Sequence, residues 1–242
     1  MNPEPKSERL YQALKRDIIL LRLAPGSALR LPALSGEYDA GLTPLRDCLN
    51  RLAKDRLVQP EHNKGFRVAN LSMEDLASLE QSRSVIEGGL FAASAKAGDD
   101  EWEGAIVGAF HNLQRVPLPS VLLDLDEVEA WTKRHAAFHS ALTSAAENPW
   151  LDRFSAALGE QLQRYHQFIL QGIRDLWKNQ NDDAERAAIV FSRSMAIEPH
   201  KLLHDAALAR KPAAAQKAFS AHSTMSLNSY REIVDLLARS SS

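Results

Sequence analysis

The hydrophobic pattern of the first forty residues predicts two short helices separated by a tight turn. Apolar residues recur at helical spacing in the first segment, at Leu10, Leu14 and Ile18. A helix is therefore expected from about Ser7 to Leu21, ended by the Pro25-Gly26 turn. A second helix of about two turns is expected to start near Pro32, because proline suits the first turn of a helix.

A third helix and a strand pair complete this segment. Thr43-Pro44 reads as an N-cap hydroxyl followed by a first-turn proline, which predicts a helix start. The apolar stripe of this helix is Leu45, Cys48, Leu49 and Leu52. Residues 57–60 and 66–69 read as two short strands joined by a turn. Three helices followed by a hairpin predict a winged helix-turn-helix over residues 1–70.

The polar face of the third helix has the residue types that contact DNA bases. Residues Thr43, Arg46, Asp47, Asn50 and Lys54 follow one another along that face. Arginine can bind guanine with two hydrogen bonds, and asparagine can bind adenine. Taken alone, this pattern also fits a solvated helix surface. The hairpin adds polar and basic residues at its tip and flank, namely His62, Asn63, Lys64 and Arg67.

The remainder of the chain is helical almost throughout, with no convincing strand. Five further helices are expected after a first one that carries Leu76 to Phe91, over residues 101–113, 123–146, 150–177, 182–208 and 212–238. Short connections predict an antiparallel bundle. The fold class is therefore mainly α, with a linker at 71–77 and an all-α domain at 78–242.

Histidines carry the candidate chemistry of the second domain. His135 and His139 are four residues apart and share a helix face. His200 and His222 lie at similar distances on either side of the Lys211-Pro212 break, so a helical hairpin would bring them level. Four such imidazoles can bind zinc or nickel. The spacing alone leaves ordinary structural histidines open, and His200 with His204 forms a second pair of the same kind.

Composition narrows the class of protein without deciding it. Up to Asn70 there are twelve basic and eight acidic residues, against 17 and 23 in the rest, which weakly favours DNA binding by the N-terminal part. The single cysteine, Cys48, excludes a disulfide framework. No apolar run is long enough for a membrane helix, and the polar N-terminus is unlike a secretory signal. A cytoplasmic protein without a membrane partner is expected.

The N-terminal segment resembles the DNA-binding domain of the GntR family. The resemblance is carried by ALRLPALSGEYDAGLTPLRDCLNRLAKDRLVQPEHNKGFRVANLS, including its Thr-Pro-hydrophobic-Arg segment and its Lys-Gly-Phe-Arg-Val wing. The family commonly has Ser-Arg where Gly41-Leu42 stands here, and often a basic residue where Pro32 stands. Arg30 is expected to replace part of that basic contact. Together with the polar face of the third helix and the hairpin, the resemblance predicts operator contacts by Arg30, Thr43, Arg46, Asn50, Lys54, Asn63, Lys64 and Arg67.

The second domain resembles the FCD effector domain of the FadR subfamily. The matching segments are HAAFHSALTSAAENPWL and EPHKLLHDAALARKPAAAQKAFSAH. Carried over, the resemblance implies the metal ligands His135, His139, His200 and His222, with His135 standing where aspartate is common. The implied cofactor is a divalent metal, zinc with nickel as the alternative. The segments WTKRHAAFH and GDDEWE are similar to those of glutarate-responsive repressors in this family.

The resemblance implies a homodimeric repressor of a catabolic operon, without enzyme activity, that binds a palindromic or pseudo-palindromic operator. Its effector would be a small organic acid, such as the dicarboxylate glutarate. Expected effector contacts are Arg83, Arg164 and Tyr165. Two alternatives remain at this point. One is a metal-dependent hydrolase, although the helix with His135 and His139 lacks the glutamate of an HExxH motif. The other is a ligand-sensing module that does not bind DNA.

Overall fold

The computed structural model describes residues 5–61, 65–118, 125–178 and 182–240, and these residues form two compact units. The first unit contains residues 1–72 together with Gly159–Gln167. The second contains Met73–Leu158 and Phe168–Ser242. In the part of the chain described, no helix is both long and apolar enough to span a membrane. The predicted fold class, a winged helix-turn-helix with an all-α domain, is confirmed.

The first unit has three helices and a small antiparallel sheet. Its elements are α1 (Lys6–Ile19), β1 (Ala28–Leu29), α2 (Leu31–Glu37), α3 (Leu42–Lys54), β2 (Val58–Glu61) and β3 (Gly65–Val68). The strand order is β1-β3-β2, with Ala28 opposite Arg67 and Val58 opposite Val68. The core between the helices and the sheet includes the fully buried side chains of Leu14, Ile18, Leu45 and Leu49.

Local sequence explains most of these boundaries. Gly26 has φ of +75°, so the turn before β1 requires the conformational freedom of glycine. Pro32 lies in the first turn of α2, as predicted. The predicted N-cap at Thr43 is wrong, because Gly41 caps α3 and Thr43 lies inside its first turn. The strand β1 was not predicted, since two residues are too few to show an alternating pattern.

The second unit is a bundle of helices. Its elements are α4 (Met73–Ala97), α5 (Asp100–Arg115), α6 (Leu125–Thr143) with a 3-10 turn at Ser144–Ala146, α8 (Asp182–Ser194), α9 (Glu198–Leu208) and α10 (Pro212–Ser240). The helix α7 (Pro149–Lys178) contributes its two ends to this unit and residues 159–167 to the first. Asp99 caps α5 by accepting a hydrogen bond from the backbone N–H of Trp102 at 2.9 Å.

Helices α4 and α10 run antiparallel and in close contact. The hydroxyls of Ser84 and Ser220 are 2.6 Å apart, and the Gln216 side chain donates to the Ser84 carbonyl at 2.8 Å. Gly88 faces Gln216, where a larger side chain would collide with it. Small residues therefore let the two helices approach one another closely.

Two boundaries in this half differ from the prediction. The segment 71–77, expected to be a linker, lies mostly in α4, which already begins at Met73. The helix expected over 182–208 is two helices, because α8 ends at Ser194 and α9 starts afresh at Glu198. Pro199 occupies the first turn of α9 and lacks the N–H that a continuous helix would need there.

Candidate metal centre and DNA-reading surface

Four histidines from three helices converge inside the bundle. His135 and His139 come from α6, His200 from α9 and His222 from α10. One ring nitrogen of each lies within 4.8 Å of one nitrogen of every other. Tetrahedral zinc needs its nitrogens about 3.4 Å apart, given zinc–nitrogen bonds of about 2.05 Å. Side-chain adjustments of about an ångström would therefore close this cluster around one ion.

Two histidines of this cluster, His139 and His200, have buried ring nitrogens whose lone pairs could bind a metal ion. His200 donates from Nδ1 to the Ala196 carbonyl at 2.9 Å, which fixes the tautomer that leaves a lone pair on Nε2. That Nε2 is buried without a hydrogen-bond partner, and so are both ring nitrogens of His139. Buried polar atoms of this kind are costly unless something binds them. A metal ion at the centre would supply the missing interaction.

The surroundings keep His139 and His200 neutral. Burial, assisted by the neighbouring His135, His222, His200 and Arg83, lowers the pKa of His139 well below its ordinary value. Burial also lowers the pKa of His200. Neutral imidazole is the form that binds metals.

Aromatic rings pack around the cluster and fix its side chains. Trp131 stacks on His135 with ring centroids 4.6 Å apart and an interplanar angle of 16°. Phe138 and Phe219 meet His200 and His139 edge-on, at 6.1 and 6.3 Å. His204, the other member of the second histidine pair, instead stacks on Phe110 at 4.5 Å and contacts Asp205. The structure therefore distinguishes between the two pairs that the spacing left open.

The three predicted effector contacts are engaged elsewhere. Arg83 is buried on α4, where Nε and Nη2 donate to the two carboxylate oxygens of Glu87 at 2.9 Å. Its Nη1 donates to Glu80, also at 2.9 Å. Two carboxylates of its own helix thus hold the guanidinium, and we assign Arg83 a structural role. Sequence reasoning missed both partners, although they stand three residues before and four after Arg83.

Arg164 and Tyr165 belong to the first unit. Arg164 donates to the Ala69 carbonyl and, at 3.3 Å, to the side chain of Gln161. The Tyr165 hydroxyl donates to the Ser72 carbonyl at 3.3 Å. Both side chains are buried at the end of the winged-helix segment. These hydrogen bonds give both side chains a structural role in the first unit, and their contact with an effector stays a prediction.

The third helix presents the predicted DNA-contacting side chains to solvent. Thr43, Arg46, Asn50 and Lys54 are exposed on α3, opposite its buried stripe. Arg30 is exposed at the N-cap of α2. Arg67 is partly exposed, and its guanidinium donates to Glu61 at 2.8 Å and to the Gly26 carbonyl in the turn before β1. Asn63 and Lys64, also expected to contact DNA, lie outside the described residues.

Family models match both halves of the chain. The description "Bacterial regulatory proteins, gntR family" matches residues 6–68, and "FCD domain" matches residues 78–225. The chain belongs to the GntR family. The two matches coincide with the winged helix-turn-helix and the helical bundle described above. The predicted combination of a GntR DNA-binding domain with an FCD domain is confirmed.

Relatives and solved structures agree with this family. The HTH-type transcriptional regulator BphR of Paraburkholderia xenovorans is 30% identical over 203 residues, which are 84% of this chain and 76% of BphR. The HTH-type transcriptional repressor GlaR of Escherichia coli is 32% identical over 157 residues, 64% of this chain and 70% of GlaR. E. coli McbR/YncC shares the fold at a TM-score of 0.62, with 17% identity and 98% and 99% of the two chains covered. A GntR regulator from Rhodococcus sp. RHA1 also has a TM-score of 0.62, with 20% identity and coverage of 95% and 97%.

This GntR-family chain is a DNA-binding transcriptional regulator and not an enzyme, since its family and relatives are regulators of that class. The hydrolase alternative is set aside on that ground. The exposed face of α3 is the candidate DNA-reading surface, because the second helix of a helix-turn-helix lies in the major groove.

Proposed function

We propose that this regulator is a repressor of a carbon-catabolism operon, and that a small carboxylate bound beside a metal ion controls its binding to the operator. The convergence of His135, His139, His200 and His222 carries the proposal. GlaR, which is described as a transcriptional repressor, supports the direction of regulation. The effector would bind one arrangement of the protein more tightly and shift the population towards it.

The donor set favours zinc, with nickel as the alternative. Imidazole nitrogen suits both ions, and four nitrogens from three helices can surround one ion. Held by four nitrogens, the ion would accept an oxygen of an anionic effector by expanding its coordination number beyond four. The unpaired ring nitrogens of His139 and the backbone-anchored His200 support this assignment.

The charge of the site argues for an acidic effector. Four neutral imidazoles leave the whole charge of a divalent ion uncompensated within the helical bundle. An uncompensated charge in such surroundings is unfavourable, so an anion that binds the ion is favoured. We therefore propose a small organic acid, with glutarate as the first candidate.

The first expected result concerns metal content. Protein purified without a metal-chelating tag should contain about one zinc or nickel ion per chain by elemental mass spectrometry. His139→Ala and His222→Ala should lose it, because each removes one of the four ligands. His204→Ala is the matched control, since His204 lies on α9 outside the cluster, and it should keep the metal. Wild-type protein that stays metal-free after reconstitution would refute the metal site.

The same preparations test the effector. At about 100 times its Kd, glutarate should stabilise metal-loaded wild-type protein by about 2.7 kcal/mol, a rise of several degrees in Tm. His139→Ala should not respond, and neither should wild type given the uncharged dimethyl ester of glutarate. Operator binding measured with and without glutarate then gives the direction of control. A response that is equal in wild type and His139→Ala would separate effector binding from the histidine cluster.

We also propose that the regulator acts as a homodimer on a palindromic or pseudo-palindromic operator. Trp150 and Phe154, one helical turn apart on α7, have 69% and 51% of their surface exposed. Adjacent exposed aromatic side chains of this size are typical of protein interfaces. A second copy of the chain is the proposed occupant of this surface, since two-fold symmetry is the commonest arrangement of soluble oligomers.

Light scattering coupled to size-exclusion chromatography tests the dimer. Wild-type protein at micromolar concentration should have twice the mass of one chain, and Trp150→Ser/Phe154→Ser should shift towards one chain. Leu202→Ser is the control, because Leu202 on α9 is 66% exposed without an aromatic neighbour of this kind. A double variant that remains fully dimeric would show that the dimer interface does not include Trp150 and Phe154.

A further inference from the structure

Leu42 is an exposed apolar residue at the start of the DNA-reading helix. It is the first residue of α3, and 53% of its surface is exposed. The buried stripe of this helix is formed by Leu45, Cys48, Leu49 and Leu52 and does not include it. More than half of a leucine side chain is therefore available for contact on the surface that approaches DNA.

The position of Leu42 relates it to Arg46. The two residues are one turn apart, so their side chains lie next to one another on the same flank of α3. Arg46 is exposed and, among the described residues, makes no ion pair. Thr43 and Asp47 are also exposed there. Among the described residues of the first unit, Leu42 is the one large hydrophobic side chain that is exposed, and a single residue of this kind does not resemble a protein-docking patch.

The chemistry of the major groove leaves one favourable partner for such a side chain. In a helix-turn-helix, the N-terminal residues of the second helix contact base edges. Leucine neither donates nor accepts a hydrogen bond, so it cannot read the donors and acceptors of guanine, cytosine or adenine. The C5-methyl group of thymine is the apolar feature of the groove, and apolar side chains contact it.

We propose that Leu42 determines operator specificity by packing against the methyl group of a thymine in each half-site, beside the base pair that Arg46 contacts. The inference rests on DNA binding by α3 and is independent of the metal site. Leu42 would therefore favour an A·T base pair in one orientation. Only the thymine of the pair carries the methyl group, so reversing the pair would move that group away from Leu42.

The experiment uses the full-length protein and a duplex selected from a randomised pool. Each thymine of that duplex is replaced in turn by deoxyuridine, which removes only the C5-methyl group, and affinity is measured by fluorescence anisotropy. At one thymine per half-site, the replacement should weaken binding of the duplex by the wild-type protein about fourfold, as expected for the loss of one buried methyl group. Leu42→Ala should bind the unmodified duplex more weakly and lose that deoxyuridine penalty.

Controls separate this contact from general effects. Leu202→Ala, which shortens an exposed leucine on α9, should keep the full deoxyuridine penalty. Circular dichroism should show unchanged folding for Leu42→Ala, since Leu42 lies outside the core. If no thymine position distinguishes wild type from Leu42→Ala, the proposed contact is overturned while DNA binding stands. If the selection enriches no duplex, sequence-specific DNA binding is refuted, and the proposed contact is refuted with it.

Discussion

Replacing Arg46 with alanine is expected to weaken operator binding by about ten- to hundredfold per half-site. A guanidinium that makes two hydrogen bonds to guanine contributes about 1–3 kcal/mol of discrimination against other bases. Arg46 is exposed in the middle of the DNA-reading face of α3, so the change removes the contact without disturbing the buried stripe. The measurement is anisotropy on the selected operator and on an unrelated duplex at one fixed salt concentration.

The matched control is Lys54→Ala on the same helix face. Lys54 is exposed at the end of α3, and a lysine there is expected to contact phosphate rather than a base. Loss of this lysine should lower the affinity for both duplexes equally. It should also reduce the slope of log K against log salt concentration by about one. Arg46→Ala should instead reduce the ratio between operator and unrelated duplex. Equal losses on both duplexes for Arg46→Ala would show that Arg46 contacts only the backbone.

The histidine cluster could be anticipated because local rules fix its geometry. Two histidines four residues apart share a helix face whatever the surrounding fold. The turn between α9 and α10 was also readable, since Pro212 begins the second helix directly after the break. With the turn fixed, His200 and His222 come level on antiparallel neighbours. What the sequence could not supply was the approach of α6, which depends on packing across the bundle.

The surroundings of the expected effector contacts could not be predicted, because they depend on long-range packing. Helical spacing shows that Arg164 and Tyr165 are adjacent on α7, but it does not show which element covers them. The structure groups that part of α7 with the winged-helix segment, where backbone carbonyls of Ala69 and Ser72 accept their hydrogen bonds. Arg83 is buried on α4. Its carboxylate partners decide its role, and their spacing on α4 was a signal present in the sequence.

Because it neutralises two buried carboxylates, Arg83 is expected to be important for the stability of the helical unit. Replacing Arg83 with methionine should destabilise the helical unit by about 3–5 kcal/mol, because Glu80 and Glu87 would remain buried without their counter-charge. Burial already raises the pKa of Glu80 although Arg83 opposes the shift. All four tryptophans, at 102, 131, 150 and 177, lie in the second unit. Tryptophan fluorescence during urea unfolding therefore reports on this unit specifically.

Two further variants show whether charge or shape causes the loss. Arg193→Met removes an exposed partner of Glu232, an ion pair of 2.6 Å, and should cost less than about 1 kcal/mol. Arg83→Met/Glu87→Leu removes the stranded carboxylate and should recover much of the stability that Arg83→Met alone loses.

The pH dependence of the Arg83→Met defect follows from the carboxyl of Glu80. Without Arg83, the pKa of Glu80 rises further in the folded state, because burial is no longer opposed by the guanidinium. The stability that depends on Glu80 is then retained below its unfolded pKa and lost as pH rises through its folded pKa. The deficit of Arg83→Met relative to wild type should therefore be smaller at pH 5 than at pH 7.5. A deficit that is independent of pH and unrelieved by Glu87→Leu would mean that Arg83 stabilises the bundle through packing of its side chain against Phe219, whose ring centroid is 5.8 Å from the guanidinium carbon.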